Sequence, residues 1–369
     1  MTKKSKIFPY KLSICMIVKD EEKYLDKCLK SLLPLTECNL AELIIVDTGS
    51  TDNTVEIAKK YTDKVYFKKW NNSFSEARNY SISFAQGEYI FIMDADQELE
   101  HDEAIKLKDF FYGKEYKKYN TYSLIYKNFT DEELKNYNLF TLQLIFKNDG
   151  KFHYEGKVHN QPIYKKPVKA LDIYMLHYGY IMTEDVKEKK FKRTATMLKE
   201  ELKKDSNNIY YIYQLSRSYS MHGDVEEAIG EVLKYLDLIN DKNTSKMLLV
   251  NYYQNAAILM RNGKRYEKTK EVCKKLISID KNNMDAYYLL GDSYEKTYHR
   301  EDAIRSYYTY LELNEKFSYK SSMEKYSVEI NSLKFKNVII KRLLFLEEKT
   351  ERFTTLKGYI KTLFLEKDY

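Results

Sequence analysis

Tyr89-Ile90-Phe91-Ile92-Met93-Asp94-Ala95-Asp96 decides how the first half of this chain folds. An apolar run of strand length stops in two carboxylates one residue apart. A buried strand has no use for charge, so Asp94 and Asp96 are expected where that strand emerges at the C-terminal edge of a sheet. In open α/β sheets this is the edge that binds ligands. Two acids this close repel unless something positive lies between them, and a divalent cation is the simplest candidate. A hard, oxygen-liganded cation commonly serves phosphates. The run therefore points to an enzyme that handles a nucleotide or a nucleotide-linked substrate.

On either side of this run, short apolar stretches alternate with helical periodicity. Leu12 to Val18, Leu43 to Asp47, Lys64 to Lys69 and Glu88 to Met93 read as strands. Glu21 to Leu33, Asp52 to Tyr61 and Ser73 to Ala85 read as helices between them. Such alternation predicts βαβ units and a mostly parallel sheet. Thr51-Asp52-Asn53-Thr54 supplies helix-capping residues after the turn at Gly49. Further strands over Tyr122 to Tyr126, Leu139 to Phe146 and Val168 to Met175 are expected to complete the sheet and one wall of the site. All four prolines lie before residue 168, and from Asp185 onward helical periodicity dominates. Leu215, Ser216, Tyr219 and Ala228 align with Leu290, Gly291, Tyr294 and Ala303, in the offsets of a tetratricopeptide helix-turn-helix unit. A degenerate copy over Ala256 to Cys273, with Gly263 at its turn, lies between them. The fold class expected is thus an α/β domain over 10–182, a helical linker over 183–206, tetratricopeptide-like repeats over 207–318 and C-terminal helices over 319–369.

Composition narrows the functional classes. The 369 residues carry 62 Lys+Arg against 55 Asp+Glu, a formal charge of +7 spread along the chain without a dense basic block. That balance does not call for nucleic acid as a partner and suits the steering of an anionic donor. Cys15, Cys28, Cys38 and Cys273 have neither a disulfide framework nor zinc spacing, which fits a reducing cytoplasm. No signal peptide or membrane span is expected, so the location inferred is cytoplasmic. No phosphate-loop, dinucleotide-glycine or nucleophile-elbow pattern occurs.

Several residues stand out for chemistry. Asp47 ends the second strand in Val46-Asp47-Thr48-Gly49-Ser50, where an acid can accept hydrogen bonds from a base or ribose. Val18-Lys19-Asp20-Glu21 brings more acid to the same edge, so adjacent strands end in carboxylates together. Arg78 is the only arginine before residue 193 in a chain that otherwise uses lysine, which suits planar recognition of phosphate or carboxylate. Pairing with Glu76 or another helix-surface acid is the alternative. His153, His159 and His177 cluster after the carboxylate strand, and His159 or His177 could complete a metal shell begun by Asp96. Glu155 is the candidate general base of this segment, with Glu184 and Asp185 as alternatives.

Ser13-Ile14-Cys15-Met16-Ile17-Val18-Lys19-Asp20-Glu21, Ile45-Val46-Asp47-Thr48-Gly49-Ser50-Thr51-Asp52, Phe74-Ser75-Glu76-Ala77-Arg78-Asn79 and Asp94-Ala95-Asp96 together resemble a family 2 glycosyltransferase of the GT-A fold. The resemblance covers roughly residues 10 to 180. Glu155-Gly156-Lys157-Val158-His159, His177-Tyr178-Gly179-Tyr180 and the helices that follow narrow it to the sublancin-type bacterial peptide S-glycosyltransferases. It implies a nucleotide-sugar donor, commonly a UDP-sugar, with Mg²⁺ or Mn²⁺ on the diphosphate. By position, Asp47, Ser50 and the Val18 to Glu21 loop (Val18, Lys19, Asp20, Glu21) would hold the nucleoside, with Arg78, Asp94 and Ala95 beside the ribose and metal. Asp96 would be the main metal ligand, with His177 and His159 approaching metal and diphosphate. Relatives often carry Glu after the loop histidine, where this chain has Asn160.

The function expected is inverting transfer of a hexose or N-acetylhexosamine to a Cys or Ser side chain of a peptide or protein held by the helical repeats. A cell-surface polysaccharide or a flagellin-like acceptor is one alternative, and a non-catalytic tetratricopeptide adaptor another. The sugar, the linkage atom and the oligomeric state, a homodimer included, stay open at this stage.

Overall fold

A computed structural model describes residues 7–181, 183–317 and 331–347. The described chain falls into two compact units that divide at Glu200/Glu201. The expected C-terminal helices over 319–369 therefore lie largely outside the described residues.

The first unit is built on an eight-stranded sheet of order β3-β2-β1-β4-β7-β6-β10-β5. Strands β1 (Tyr10–Val18), β2 (Ala41–Asp47), β3 (Val65–Phe67) and β4 (Gly87–Ile92) are its parallel half. The apolar runs behave as a sheet covered on both faces requires. In β1, Leu12, Ile14, Met16 and Val18 join one core, and Cys15 joins another with Ile44, Ile90 and Ile92. Parallel register aligns Val18 with Asp47 and Cys15 with Ile92, so the ends of β1, β2 and β4 share one edge.

The other half is mixed. β6 (Thr121–Phe129) and β7 (Tyr137–Lys147) pair antiparallel, β7 pairs antiparallel with β4, and β10 (Val168–His177) pairs parallel with β6. β5 (Gln97–Glu98) adds two residues antiparallel to the end of β10. A separate hairpin joins β8 (His153–Glu155) to β9 (Gln161–Ile163).

Helices α1 (Leu25–Ser31), α2 (Leu33–Thr36), α3 (Thr54–Ala58), α4 (Phe74–Ile82) and α5 (His101–Tyr112) connect the strands. The single helix expected over Glu21 to Leu33 is instead α1, which stops at Leu32, and the short α2, whose first turn holds Pro34. Proline suits a first turn but cannot donate within a continuing helix. Ser73 caps α4 by accepting from Glu76 N at 3.2 Å.

Helix α6 (Glu184–Lys204) spans the point of division. The second unit stacks helical hairpins: α7 (Ile209–His222) with α8 (Val225–Leu238), α9 (Lys246–Asn262) with α10 (Tyr266–Ile279), and α11 (Met284–Lys296) with α12 (Arg300–Lys316). α13 (Lys336–Glu347) packs on α12. The repeat positions read from the sequence are the close-packing ones. Ala228, Ala256 and Ala303 are fully buried, and a Cβ at Gly291 would strike the Tyr307 ring. Asp292 is fully buried between Arg261 (2.9 Å) and Arg342 (2.7 Å), which compensate its charge. Among the described residues, no helix is long and apolar enough to cross a membrane.

Candidate active site

The loops after β1 and β2 are laced to each other. Thr48 donates to the Val18 carbonyl through both N and Oγ1 (3.0 Å each). Asp20 N donates to Ser50 Oγ (2.9 Å), Thr51 N to Asp20 Oδ1 (2.8 Å) and Glu21 N to Thr54 Oγ1 (2.7 Å). The Asp47 carboxylate is buried and accepts from Gly49 N (2.9 Å) and Ser50 N (3.1 Å), closing the turn that Gly49 makes at φ +112°. Asp20, Asp47 and Ser50 thus shape the rim through their own hydrogen bonds. Lys19 is exposed beside them.

The next two acids of the rim are held in different ways. Asp94 follows β4, and both its oxygens accept from Arg78 Nη2, at 2.8 and 3.1 Å. Arg78 reaches it from α4, with its guanidinium 5.5 Å from the Tyr154 ring centroid. The contact uses one nitrogen, and the buried Arg78 Nε makes no hydrogen bond among the described residues. Glu76, the helix-surface alternative, pairs with Lys68 at 2.7 Å instead. Gln97 braces the turn, its Oε1 accepting from Asp94 N at 3.0 Å. Ala95 between the acids is buried in the core.

Asp96 meets His177 because of the two-residue strand β5. Its pairing sets Gln97 opposite His177, and Tyr178 N donates to the Asp96 carbonyl at 2.9 Å. Asp96 Oδ2 and His177 Nε2 then face each other at 3.5 Å, both side chains mostly buried (18 % and 15 % exposed). A Cβ at Gly179 would strike both atoms, so this residue must be glycine for the pair to stand as it does. Burial raises the Asp96 pKa, but His177, when its ring is protonated, and Lys190 outweigh it and hold the group below the ordinary carboxylate value.

The two acids therefore have separate partners. Arg78 neutralises Asp94, and Asp96, where a divalent cation is the expected partner, faces an imidazole. His159 sits exposed at φ +47° in the hairpin loop. Among the described residues no three His, Cys, Asp or Glu side chains assemble into a metal-holding group. The expected trio of Asp96, His177 and His159 is thus represented by the Asp96–His177 pair.

Glu155, the candidate base, lies in the hairpin. Side chains alternate along β8, and Tyr154 is the one turned inward, into the core with Phe146 and Phe152. Glu155 is exposed and lies 3.1 Å from His153. The hairpin itself is seated by Asn79, which exchanges hydrogen bonds with Tyr154 O (2.9 Å) and Tyr154 N (2.8 Å). Glu184 and Asp185 are exposed at the start of α6.

Sequence reasoning missed several residues that this geometry brings in. Tyr126 is buried beside the acids, and burial, then Asp94 and Asp96, push its phenol well above its usual pKa and keep it neutral. Lys190 on α6 donates to Gly179 O at 3.2 Å. Arg193, one turn further on, has its guanidinium 5.4 Å from the Phe74 ring. Asn128 holds the outer nitrogen of His177 at 2.6 Å. None follows from local pattern, because each meets the acids only through strand pairing or across a long loop.

Glu21 is half-buried. Burial, then Asp96, Asp94 and Asp52, push its pKa up to about 7 against the pull of Lys190. A carboxyl raised above its ordinary value adds stability that is complete below about 4.5 and is lost as pH rises through about 7. Metal-free protein should lose stability over this window, and Glu21→Gln should flatten the decline. Denaturant midpoints measured from pH 4.5 to 8 in chelator check this, and equal slopes for both proteins would contradict it.

The chain is similar to several known proteins. Residues 13–162 match the family model described as glycosyl transferase family 2. The SPbeta prophage-derived glycosyltransferase SunS of Bacillus subtilis strain 168 is 27% identical over 371 aligned residues, 96% of this chain and 81% of SunS. An uncharacterized glycosyltransferase of Haemophilus influenzae is 36% identical over 104 residues, 27% of this chain and 41% of that protein. The crystal structure of S. aureus TarS aligns with a TM-score of 0.38 and 15% identity, over 71% of this chain and 54% of TarS. This chain carries a family 2 glycosyltransferase domain at residues 13–162, tetratricopeptide-like helices follow it, and the protein is a glycosyltransferase.

Proposed function

We propose that the protein transfers a hexose or N-acetylhexosamine from a UDP-sugar, with inversion, to a Cys or Ser side chain of a peptide or protein. Mg²⁺ or Mn²⁺ would assist at the diphosphate. The observation that carries this reading is the Asp96–His177 pair at the C-terminal rim of β4, beside the Arg78-neutralised Asp94.

The donor set fits such an ion. Asp96 Oδ2 is a carboxylate oxygen, and His177 Nε2 faces it while Nδ1 is occupied by Asn128. Two protein ligands suffice for ions of this class, which take their remaining positions from water and substrate phosphates. Asp96 and His177 would hold it, and when bound it would neutralise charge on the departing nucleoside diphosphate.

The chain's own residues would do the rest. The rim at Val18, Lys19, Asp20, Glu21, Asp47 and Ser50 would receive the nucleoside, and Arg78 would keep Asp94 fixed beside the ribose. Lys190 and Arg193 bring positive charge toward the phosphates from α6. A thiol acceptor needs little help with its proton, since its reference pKa of ~8.5 leaves some thiolate near neutral pH. A peptide acceptor accords with the sublancin-type resemblance and with the stacked helical hairpins, a form that commonly presents an extended binding surface.

A thermal-shift panel of nucleotide sugars, each with and without Mn²⁺, tests the donor. One UDP-sugar should raise the melting temperature by several degrees with Mn²⁺ and far less without it, as ligand linkage requires. No shift from any UDP-sugar in either condition would contradict the reading.

A further inference from the structure

We infer that Asn128 is a positioning residue: its side-chain oxygen fixes the tautomer of His177, so that Nε2 presents a bare lone pair beside Asp96. The inference rests on the cation reading above and names what keeps that site ready. Asn128 lies near the end of β6, and parallel pairing with β10 sets it directly opposite His177. It is buried, and its Oδ1 is 2.6 Å from His177 Nδ1. An amide oxygen only accepts, so Nδ1 must carry the proton, and in neutral imidazole Nε2 is then an acceptor.

The consequence falls on Asp96, whose Oδ2 lies 3.5 Å from that nitrogen. A histidine side chain in water prefers the opposite tautomer, with its proton on Nε2. Without Asn128, Nε2–H would donate to the carboxylate and close the pair on itself. With Asn128, two acceptors face each other, an arrangement that gains from a cation. The ring has little room to leave this orientation. Tyr126 lies 5.7 Å from it on one side, Tyr180 lies 5.7 Å from it on another, and only the missing side chain of Gly179 leaves space at Nε2. Outer hydrogen bonds to ligating histidines typically contribute 10–100-fold in metal affinity.

The test uses the full chain, ¹⁵N-labelled and metal-free, at pH 8. Imidazole ¹⁵N shifts report the tautomer, and the His177 signal is assigned by its absence in His177→Gln. The proton is expected on Nδ1 in the wild type and on Nε2 in Asn128→Leu. Mn²⁺ affinity in the presence of UDP, measured by calorimetry, should fall about 10–100-fold in Asn128→Leu. Asn128→Asp, which can only accept, should restore both the tautomer and the affinity. A wild-type proton on Nε2 overturns the inference without recourse to any variant. So does an Asn128→Leu protein whose tautomer and Mn²⁺ affinity are unchanged. Wild-type protein that binds no Mn²⁺ with UDP overturns the cation reading, and this role with it, before any variant is compared.

Discussion

Asp96→Asn should lower kcat/KM for sugar transfer on the order of 10³-fold or more while leaving the fold intact. Asparagine keeps the shape of the side chain and removes its charge. The backbone role of residue 96 survives, because Tyr178 N donates to its carbonyl and not to the side chain. His177 would then face a neutral amide that binds a cation poorly. A modest loss of stability should accompany the substitution, since the partners of this charge outweigh the cost of its burial. Steady-state kinetics with the donor found by thermal shift, set beside a melting curve, give the comparison. Undiminished Mn²⁺-dependent transfer by Asp96→Asn would remove Asp96 from the account.

Arg78→Leu should be costly in a different way. Arg78 is mostly buried and supplies the counter-charge to Asp94, whose side chain is 39 % exposed. Breaking a fully buried pair costs about 3–5 kcal/mol, but water reaches Asp94 and screens part of the loss, so about 1–3 kcal/mol is expected. In a domain of this size that corresponds to a fall of roughly 2–12 °C in melting temperature. Activity should fall as well, about 10²-fold in kcat/KM, because Asp94 loses its fixed position and adds repulsion to Asp96 and Glu21. Arg78→Lys should not rescue, since an ammonium cannot reproduce a planar guanidinium set beside the Tyr154 ring. Equal stability and rate for Arg78→Leu would show that the pair matters to neither.

Much of the first unit was legible because its signals are local. The runs at Leu12 to Val18 and Tyr89 to Met93 are apolar on both faces, and that pattern leaves little choice but central parallel strands. The alignment of Leu215 to Ala228 with Leu290 to Ala303 likewise identified helical hairpins, and the weak middle copy at Ala256 is one as well. Helix α5 went unassigned although Ala104, Leu107 and Phe111 mark its buried face at helical spacing. Strand β5 is only two residues long and carries no periodicity to read, yet it is what delivers His177 to Asp96.

The site was legible as a set of residues and less so as a set of pairings. Asp47, Asp94 and Asp96 were assigned to one rim by their place after strands, and the parallel register puts them there. Their partners could not be read in the same way. Arg78 and Asp94 are sixteen residues apart, and His177 and Asn128 forty-nine, so only the folded sheet joins them. Repulsion between the two acids was a sound premise, and the fold answers part of it with a guanidinium on Asp94. Which side Glu155 takes was not legible, because side-chain alternation along a three-residue strand depends on how the hairpin docks, and Asn79 seats it.

The central claim is that Asp96 and His177 together grip a cation that also holds the donor's diphosphate. Pulsed EPR of Mn²⁺ bound to the full chain with UDP measures this directly. The account predicts a ¹⁴N coupling from one imidazole and a ³¹P coupling from UDP on the same ion, with the ¹⁴N signal lost in His177→Ala. An ion that couples to phosphorus with no histidine nitrogen, or whose spectrum His177→Ala leaves unchanged, would contradict it.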